Sequence, residues 1–166
     1  MDAAENWEIV DTLFKQAFRS SLHFSIATVD GNGEPHVTPI GSLILDGPCR
    51  GFYFEEFPRQ LPRNLQSNQQ VCVMAVNSSR WFWFKSLLGG RFASPPAIRL
   101  HGVAGALRDA TDREIARWQR RVSRVSFTRG HAMLWRDMRK VRDIEFNRIE
   151  PVDLGEMTRN IGGRGS

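Results

Sequence analysis

The feature that most constrains this chain is a period-two alternation of apolar and other residues, which returns in short segments separated by turn residues. In the first segment Leu22, Phe24 and Ile26 alternate with polar or small neighbours, and the turn signal Asp-Gly-Asn-Gly follows at 30–33. This alternation predicts a half-buried strand, and the turn predicts a hairpin. Further segments with strand character are 36–45, 51–55, 71–77, 80–85 and 97–107. We therefore expect about six strands before residue 108.

Helical periodicity occurs at three places. Residues 3 to about 20 place apolar side chains on one side, which predicts an N-terminal helix. A short helix is expected around Pro62, because proline suits the first helical position. A helical segment is predicted over about 111–141, and its apolar stripe is Ile115, Trp118, Val122 and Val125. Residues 143–151 alternate again and predict a final strand.

The order of these elements favours one fold class. Strands follow one another with few helices, and no regular alternation of strand and helix is present, so an antiparallel barrel or sandwich is expected rather than a parallel sheet. A chain of 166 residues that is 41% hydrophobic suits one domain. We predict a single domain over 1–166, mainly β, in which a β-barrel over about 21–107 carries flanking helices.

Several classes of function are disfavoured by what the sequence lacks. No apolar run reaches the roughly 18 residues of a membrane span, and the N-terminus is acidic, so we expect a cytoplasmic protein without a membrane partner. Cys49 and Cys72 lack metal-ligand spacing and are interpreted as free thiols. The four histidines lie far apart in the sequence and also lack metal-ligand spacing, so we expect no metal site. No nucleophile or nucleotide-loop motif is present.

The positive charge of the chain is interpreted as a solvated surface. The net charge is +5 and the pI is about 10.0, mostly from arginine. On the predicted helix within 111–125 the basic residues recur at helical spacing opposite the apolar stripe. They are Arg117, Arg120, Arg121 and Arg124. An exposed helix face is favoured over a phosphate-binding one, and no nucleic-acid partner is predicted.

One predicted strand is interrupted in a way that needs an explanation. Pro39 cannot donate to a strand ladder, and Gly41 offers no side chain to pack. The strand is therefore either an edge protected against pairing or a wall against which a flat ligand lies. Arg59 and Arg63 flank the start of the short helix, where a phosphate would be well held unless they are simply two surface arginines. Together the two features favour a mononucleotide such as flavin mononucleotide (FMN).

The same stretches resemble the pyridoxamine 5′-phosphate oxidase-like flavin-binding split barrels. The resemblance lies in FSIATVDGNGEPHVTPIG, in GFYFEEFPRQLPRNLQSNQQVCVMAV and in IRLHGVAGAL. It implies a six-stranded antiparallel split barrel of the Greek-key type and a homodimer with FMN in a cleft between the subunits. It also implies a set of cofactor-binding residues: Thr38, Pro39, Ile40 and Gly41 along the isoalloxazine ring, Tyr53, Phe54 and Glu55 beside the ribityl chain, and Arg59 and Arg63 at the phosphate.

The resemblance implies an FMN-dependent oxidoreductase whose small-molecule substrate is unknown. The chain departs from the family pattern at Gln60 and Leu61, where a basic pair is usual, and it lacks the basic and aromatic C-terminal motif of true pyridoxamine phosphate oxidases. Two alternatives remain open. One is a haem-binding or haem-degrading barrel with a histidine such as His131 as axial ligand. The other is a non-catalytic binding module that has lost the cofactor.

The segment 80–85 is predicted to be a strand that is apolar on both faces. Trp81 and Trp83 would lie on one face, and Phe82 and Phe84 on the other. Aromatic side chains are chiefly packing material, so an interface or a core is favoured over substrate stacking. This interpretation supports oligomerisation.

Overall fold

The computed structural model describes residues 7–56, 59–123, 138–159 and 161. The helices and strands in chain order are α1 (Trp7–Ser21), β1 (Phe24–Val29), β2 (Pro35–Ile40), β3 (Ile44–Leu45), β4 (Arg50–Phe54), α2 (Gln60–Ser67), β5 (Gln70–Val76), α3 (Arg80–Leu88), β6 (Ala97–Asp109), α4 (Asp112–Val122) and β7 (Lys140–Pro151). A short 3-10 helix over Gly155–Thr158 follows β7. None of the described helices combines the length and the hydropathy that crossing a bilayer requires.

The strands form one antiparallel sheet in the order β2-β1-β5-β6-β7-β4-β3. Every neighbouring pair in that order is antiparallel, which confirms the predicted mainly-β class with flanking helices. Among the described residues β2 pairs with β1 alone, so β2 is an edge strand. The edge position of the interrupted strand is therefore confirmed, whereas protection against pairing and a ligand lying against the strand both stay predictions.

The first hairpin forms as the turn residues predict. Asp30 Oδ1 accepts the backbone N–H groups of Asn32 at 2.8 Å and of Glu34 at 2.9 Å. Gly33 has a φ of 86°, a left-handed conformation that favours glycine. This turn sets the register in which Phe24 lies opposite Ile40.

The sheet and the helices enclose two apolar clusters. In the first, α1 packs on the sheet, and the ring of Phe14 stacks on that of Phe24 with 4.8 Å between centroids. In the second, α4 packs on β4 and β7, with the rings of Phe54 and Trp118 5.8 Å apart. Burying one such side chain contributes about 1.5–3 kcal/mol, so these contacts fix where both helices lie.

The predicted strand at 80–85 is wrong, because these residues belong to helix α3. The Ser79 side chain accepts the backbone N–H of Phe82 and caps the helix. A short run that is apolar in every direction satisfies a strand and a helix equally, and here the cap favours the helix.

Other element boundaries differ from those predicted. The single strand expected over 36–45 is two strands, β2 and β3, separated by residues 41–43. This division offsets the loss of the strand predicted at 80–85, so six strands precede residue 110, and β7 is the seventh among the described residues. Pro62 is the third residue of α2 rather than the first. The final strand starts at Lys140, within the segment predicted to be helical. The rest of that prediction, including Val125 and His131, falls on 124–137, outside the described residues.

The basic side of α4 is only partly solvated. Arg117 binds the carboxylate of Asp46 and donates to the Leu45 carbonyl at 2.9 Å. Arg121 donates to the Leu43 carbonyl and lies over the ring of Phe18, 4.1 Å from its centroid. The expectation of a wholly solvated face is therefore wrong at these two positions, because both guanidinium groups reach the chain around β3.

Candidate functional site

Helix α2 lies on one face of the sheet, and the side chains of alternate residues of strand β2 point to that same face. Asn64 of α2 donates to the Thr28 hydroxyl of β1 at 2.9 Å, and both residues are buried. Thr28 lies opposite His36, and two residues further along the strands Ile26 lies opposite Thr38. Directly opposed residues of an antiparallel pair share a face. The side of β2 that carries Thr38 is therefore the side on which α2 lies.

The start of α2 lacks a side-chain cap and has two arginines in its vicinity. Its N-cap residue is Arg59, and no side chain among the described residues caps the helix, whereas Ser79 caps α3 and Thr111 caps α4. The N–H groups of the first turn are thus left without a side-chain partner at the positive end of the helix. Arg59 and Arg63 are both exposed, and within the described part of the chain neither side chain forms a hydrogen bond or an ion pair.

Gln60 and Leu61, where a basic pair is usual, anchor the helix. Gln60 Nε2 donates to Asn64 Oδ1 at 2.9 Å, and the Leu61 side chain is buried in the first cluster with 1% of its area exposed. Neither side chain carries a positive charge that could bind a phosphate. Phosphate binding at this helix start would therefore depend on Arg59, Arg63 and the free backbone N–H groups.

The segment that follows β2 is hydrogen-bonded to the last residue of β4. Ser42 Oγ donates to the Phe54 carbonyl at 3.0 Å and accepts the Phe54 N–H at 3.1 Å. A Cβ on Gly41 would lie 3.3 Å from the Leu22 carbonyl oxygen, so the chain passes close to α1 there. Pro39 is exposed, whereas Ile40 is buried. The structure thus brings the predicted ring-binding stretch next to residues 53–55.

The side chains at 53–55 are engaged inside the protein. Tyr53 is fully buried, and its hydroxyl donates to the carboxylate of Glu55, which is also buried. Burial, and then the hydrogen bond to Glu55, raise the pKa of Tyr53 above its usual range. Phe54 packs in the second cluster against Trp118. These three side chains are buried and bind other parts of the protein. A ligand beside this stretch would therefore contact its backbone.

Arg142 completes the network around Glu55. Its Nε donates to Glu55 Oε2 at 2.8 Å, its Nη2 to Glu55 Oε1 at 2.6 Å, and its Nη1 to the Gly105 carbonyl at 2.8 Å. The hydrogen bond to Glu55 raises the pKa of Arg142. Sequence reasoning missed this residue, because its partners lie far away along the chain and no spacing links them. Its position directly opposite Tyr53 follows only from the pairing of β4 with β7.

Two other groups of polar side chains make contacts that stabilise the fold. Ligand atoms of Asp30, Glu34 and His36 lie within 4.8 Å of one another, but Asp30 already accepts the backbone N–H groups that close the hairpin turn. A cavity of about 460 Å³ lies beside β4, β6 and β7, where Arg108 binds the carboxylates of both Glu114 and Asp143. None of the predicted cofactor-binding residues lines that cavity.

Solved structures share this fold at low sequence identity. An FMN-binding protein from Syntrophomonas wolfei is 18% identical, with 90% of this chain and 93% of that chain covered and a TM-score of 0.55. HutZ, the haem storage protein of Vibrio cholerae, is 14% identical, with 91% and 95% covered and a TM-score of 0.56. HupZ of Group A Streptococcus is 17% identical, with 83% and 89% covered and a TM-score of 0.55. These likenesses define the fold as a split barrel.

Sequence comparison identifies the family within that class. The family model for pyridoxamine 5′-phosphate oxidase matches residues 11–153. The chain therefore belongs to the pyridoxamine 5′-phosphate oxidase family, as the resemblance predicted. No protein with a curated description matches the chain.

Proposed function

We propose that this protein is an FMN-binding oxidoreductase that acts on a small molecule. The observation that carries the proposal is the start of α2, which has no side-chain cap among the described residues and has Arg59 and Arg63 beside it. Helix α2 lies over the sheet face to which Thr38 of β2 points. A phosphate suits this helix start because the N–H groups of Gln60 and Leu61 lie at its positive end, and the exposed Arg59 and Arg63 belong to the same turn of the chain. A flat ring suits the adjacent edge strand, where no neighbouring strand competes among the described residues.

The residues present fit FMN in the arrangement that the resemblance implies. Thr38, Pro39, Ile40 and Gly41 would lie along the ring, and Arg59 and Arg63 would hold the phosphate. The stretch Tyr53, Phe54 and Glu55 would border the ribityl chain through its backbone, because these side chains are buried. When bound, FMN supplies hydride or electron transfer, whereas the protein binds and orients the reactants.

The proposal includes a homodimer with the cofactor cleft between the subunits. Family membership and the FMN-binding protein of the same fold support the flavin, and the dimer remains an inference from the family resemblance.

The absorption spectrum of freshly purified protein tests the cofactor. We expect flavin bands, and in stripped protein we expect quenching of FMN fluorescence on titration. Riboflavin has the same ring without the phosphate, so it should bind at least about tenfold more weakly if the α2 start holds the phosphate. Absence of bound flavin together with an unchanged fluorescence on titration would overturn the proposal.

Haem binding is the second candidate. HutZ, a haem storage protein, has the same fold, which gives this alternative its support. A Soret band and no flavin bands would favour it, and His131→Ala would then test the axial ligand. A spectrum without either cofactor, together with failed titrations of both, would favour a binding module that has lost the cofactor.

A further inference from the structure

Helix α3 carries an exposed apolar surface that the proposed function does not use. We define the α3 outer face as Trp81, Phe84, Leu87 and Leu88, whose exposed fractions are 63%, 56%, 64% and 80%. Their separations of three, four and seven residues place them on adjoining sides of the helix. The rings of Trp81 and Phe84 stack with 5.8 Å between centroids. Exposed apolar side chains grouped on one side of a helix are typical of interaction surfaces.

The opposite side of α3 is already packed. The rings of Phe82 and Trp83 lie 5.5 Å and 5.2 Å from that of Phe92, which is itself buried. Trp83 Nε1 donates to the Asn77 carbonyl at 2.7 Å, and the Ser79 cap fixes the start of the helix. The inner side of α3 therefore holds the helix against the rest of the chain. The α3 outer face is not needed for that packing.

Three basic residues lie in or next to α3 in the sequence, close to the α3 outer face. Arg80, Lys85 and Arg91 are exposed, and none of them forms an ion pair with another described residue. Lys85 Nζ lies 5.1 Å from the centroid of the Trp81 ring, so charge and aromatic surface are adjacent. From residue 57 to residue 108 the sequence contains no aspartate or glutamate. The charge near this face along the chain is uniformly positive.

We propose that the α3 outer face docks on an anionic phospholipid surface. Tryptophan, phenylalanine and leucine side chains enter the boundary between headgroups and acyl chains, and flanking cations bind the anionic headgroups. Helix α3 spans nine residues, too short to cross a bilayer but able to lie in its surface. The sequence prediction of no membrane partner considered only spanning segments and does not exclude this mode.

A second copy of the chain is the competing occupant, and charge disfavours it. A two-fold contact through the same face would bring two sets of Arg80, Lys85 and Arg91 together, because such a contact is isologous. Like charges that approach at an interface oppose association. An anionic lipid surface complements both the apolar centre and the basic rim.

Sedimentation of the full-length protein with lipid vesicles tests the proposal. We expect binding to vesicles of mixed phosphatidylcholine and phosphatidylglycerol, and weaker binding to phosphatidylcholine alone. The double variant Lys85→Glu/Arg91→Glu should bind the anionic vesicles about tenfold more weakly or worse, since each cation near such a surface contributes about 1 kcal/mol. The matched control Arg113→Glu/Arg120→Glu changes the net charge equally on an exposed part of α4 and should retain binding.

The apolar contribution is tested with Trp81→Ser/Leu88→Ser against the control Ile9→Ser, which alters an exposed apolar residue of α1. Loss of vesicle binding in the α3 variant alone, with FMN titration and subunit number unchanged, supports the proposal. Equal binding by all variants, or no binding by the unaltered protein, overturns it. So does a fall in subunit number in the α3 variant, which would show that a second copy covers this face.

Discussion

Arg142 holds the buried carboxylate of Glu55 through two hydrogen bonds, from Nε to Oε2 at 2.8 Å and from Nη2 to Oε1 at 2.6 Å. Removing one partner leaves an uncompensated charge out of water, which costs about 3–5 kcal/mol. We therefore expect Glu55→Leu and Arg142→Met each to lower the free energy of unfolding by this amount in urea titrations.

The double variant Glu55→Leu/Arg142→Met separates the charge effect from packing. Because it leaves neither charge unpaired, it should be more stable than the sum of the single changes implies. Lys15→Met provides a surface comparison, since Lys15 pairs with Asp11 at side-chain exposures of 64% and 38%, and its loss should cost less than about 1 kcal/mol. Strict additivity of the two buried changes would show that they do not act as a pair.

Glu114 makes stability depend on acid pH. Its carboxylate accepts hydrogen bonds from Arg108 and from the backbone of Thr111, and its pKa falls from 4.5 to about 2, chiefly through Arg108. A pKa that is lowered by folding contributes stability above the unfolded value, and that contribution is lost as pH falls from 4.5 toward 2.

Glu114→Gln should therefore lower stability at neutral pH by on the order of 2 kcal/mol. It should also flatten the fall in stability over the acid window, as measured by urea unfolding at a series of pH values. Glu145→Gln serves as the control, because Glu145 is exposed and pairs with Arg50 only at 3.6 Å. If both variants retained the same acid dependence as the unaltered protein, Glu114 would have no part in it.

Gly102 is required where β6 and β7 come together. A Cβ at this position would lie 2.2 Å from the backbone oxygen of Glu145, at a register shift between the two strands. Backbone atoms cannot yield as a flexible side chain can, so Gly102→Ala should destabilise the protein by about 2 kcal/mol or more. Gly105→Ala is the matched control, because its Cβ would meet Asp143 at an ordinary 3.7 Å. Thermal unfolding of both variants should place only Gly102→Ala well below the unaltered protein.

Local signals in the sequence were sufficient for much of the fold. The turn at 30–33 and the alternation before it predicted the first hairpin, because both act between near neighbours. The helix at 80–88 was missed, since apolar residues on every side carry no period and the Ser79 cap was the only local sign of a helix.

The site was less accessible from the sequence than the fold. The contact of Asn64 with Thr28 and that of Arg142 with Glu55 join residues 36 and 87 positions apart, and only the packed sheet brings them together. Arg59 and Arg63 could be proposed because a helix start and nearby basic residues are visible locally. That Tyr53 and Glu55 are buried could not be foreseen, because burial depends on which strands become neighbours.

Arg59 and Arg63 should distinguish FMN from riboflavin. Each guanidinium that reaches the phosphate contributes about 1.5–3 kcal/mol through charged hydrogen bonds, so Arg59→Gln or Arg63→Gln should weaken FMN binding roughly 10- to 100-fold. Binding of riboflavin should change little, since it has no phosphate, and the unfolding free energy should hold because both side chains are exposed. Fluorescence titration of the two flavins measures both effects. Arg113→Gln, on the exposed side of α4, should leave both affinities intact. An equal loss of FMN and riboflavin affinity would show that these arginines hold the shape of the site rather than the phosphate.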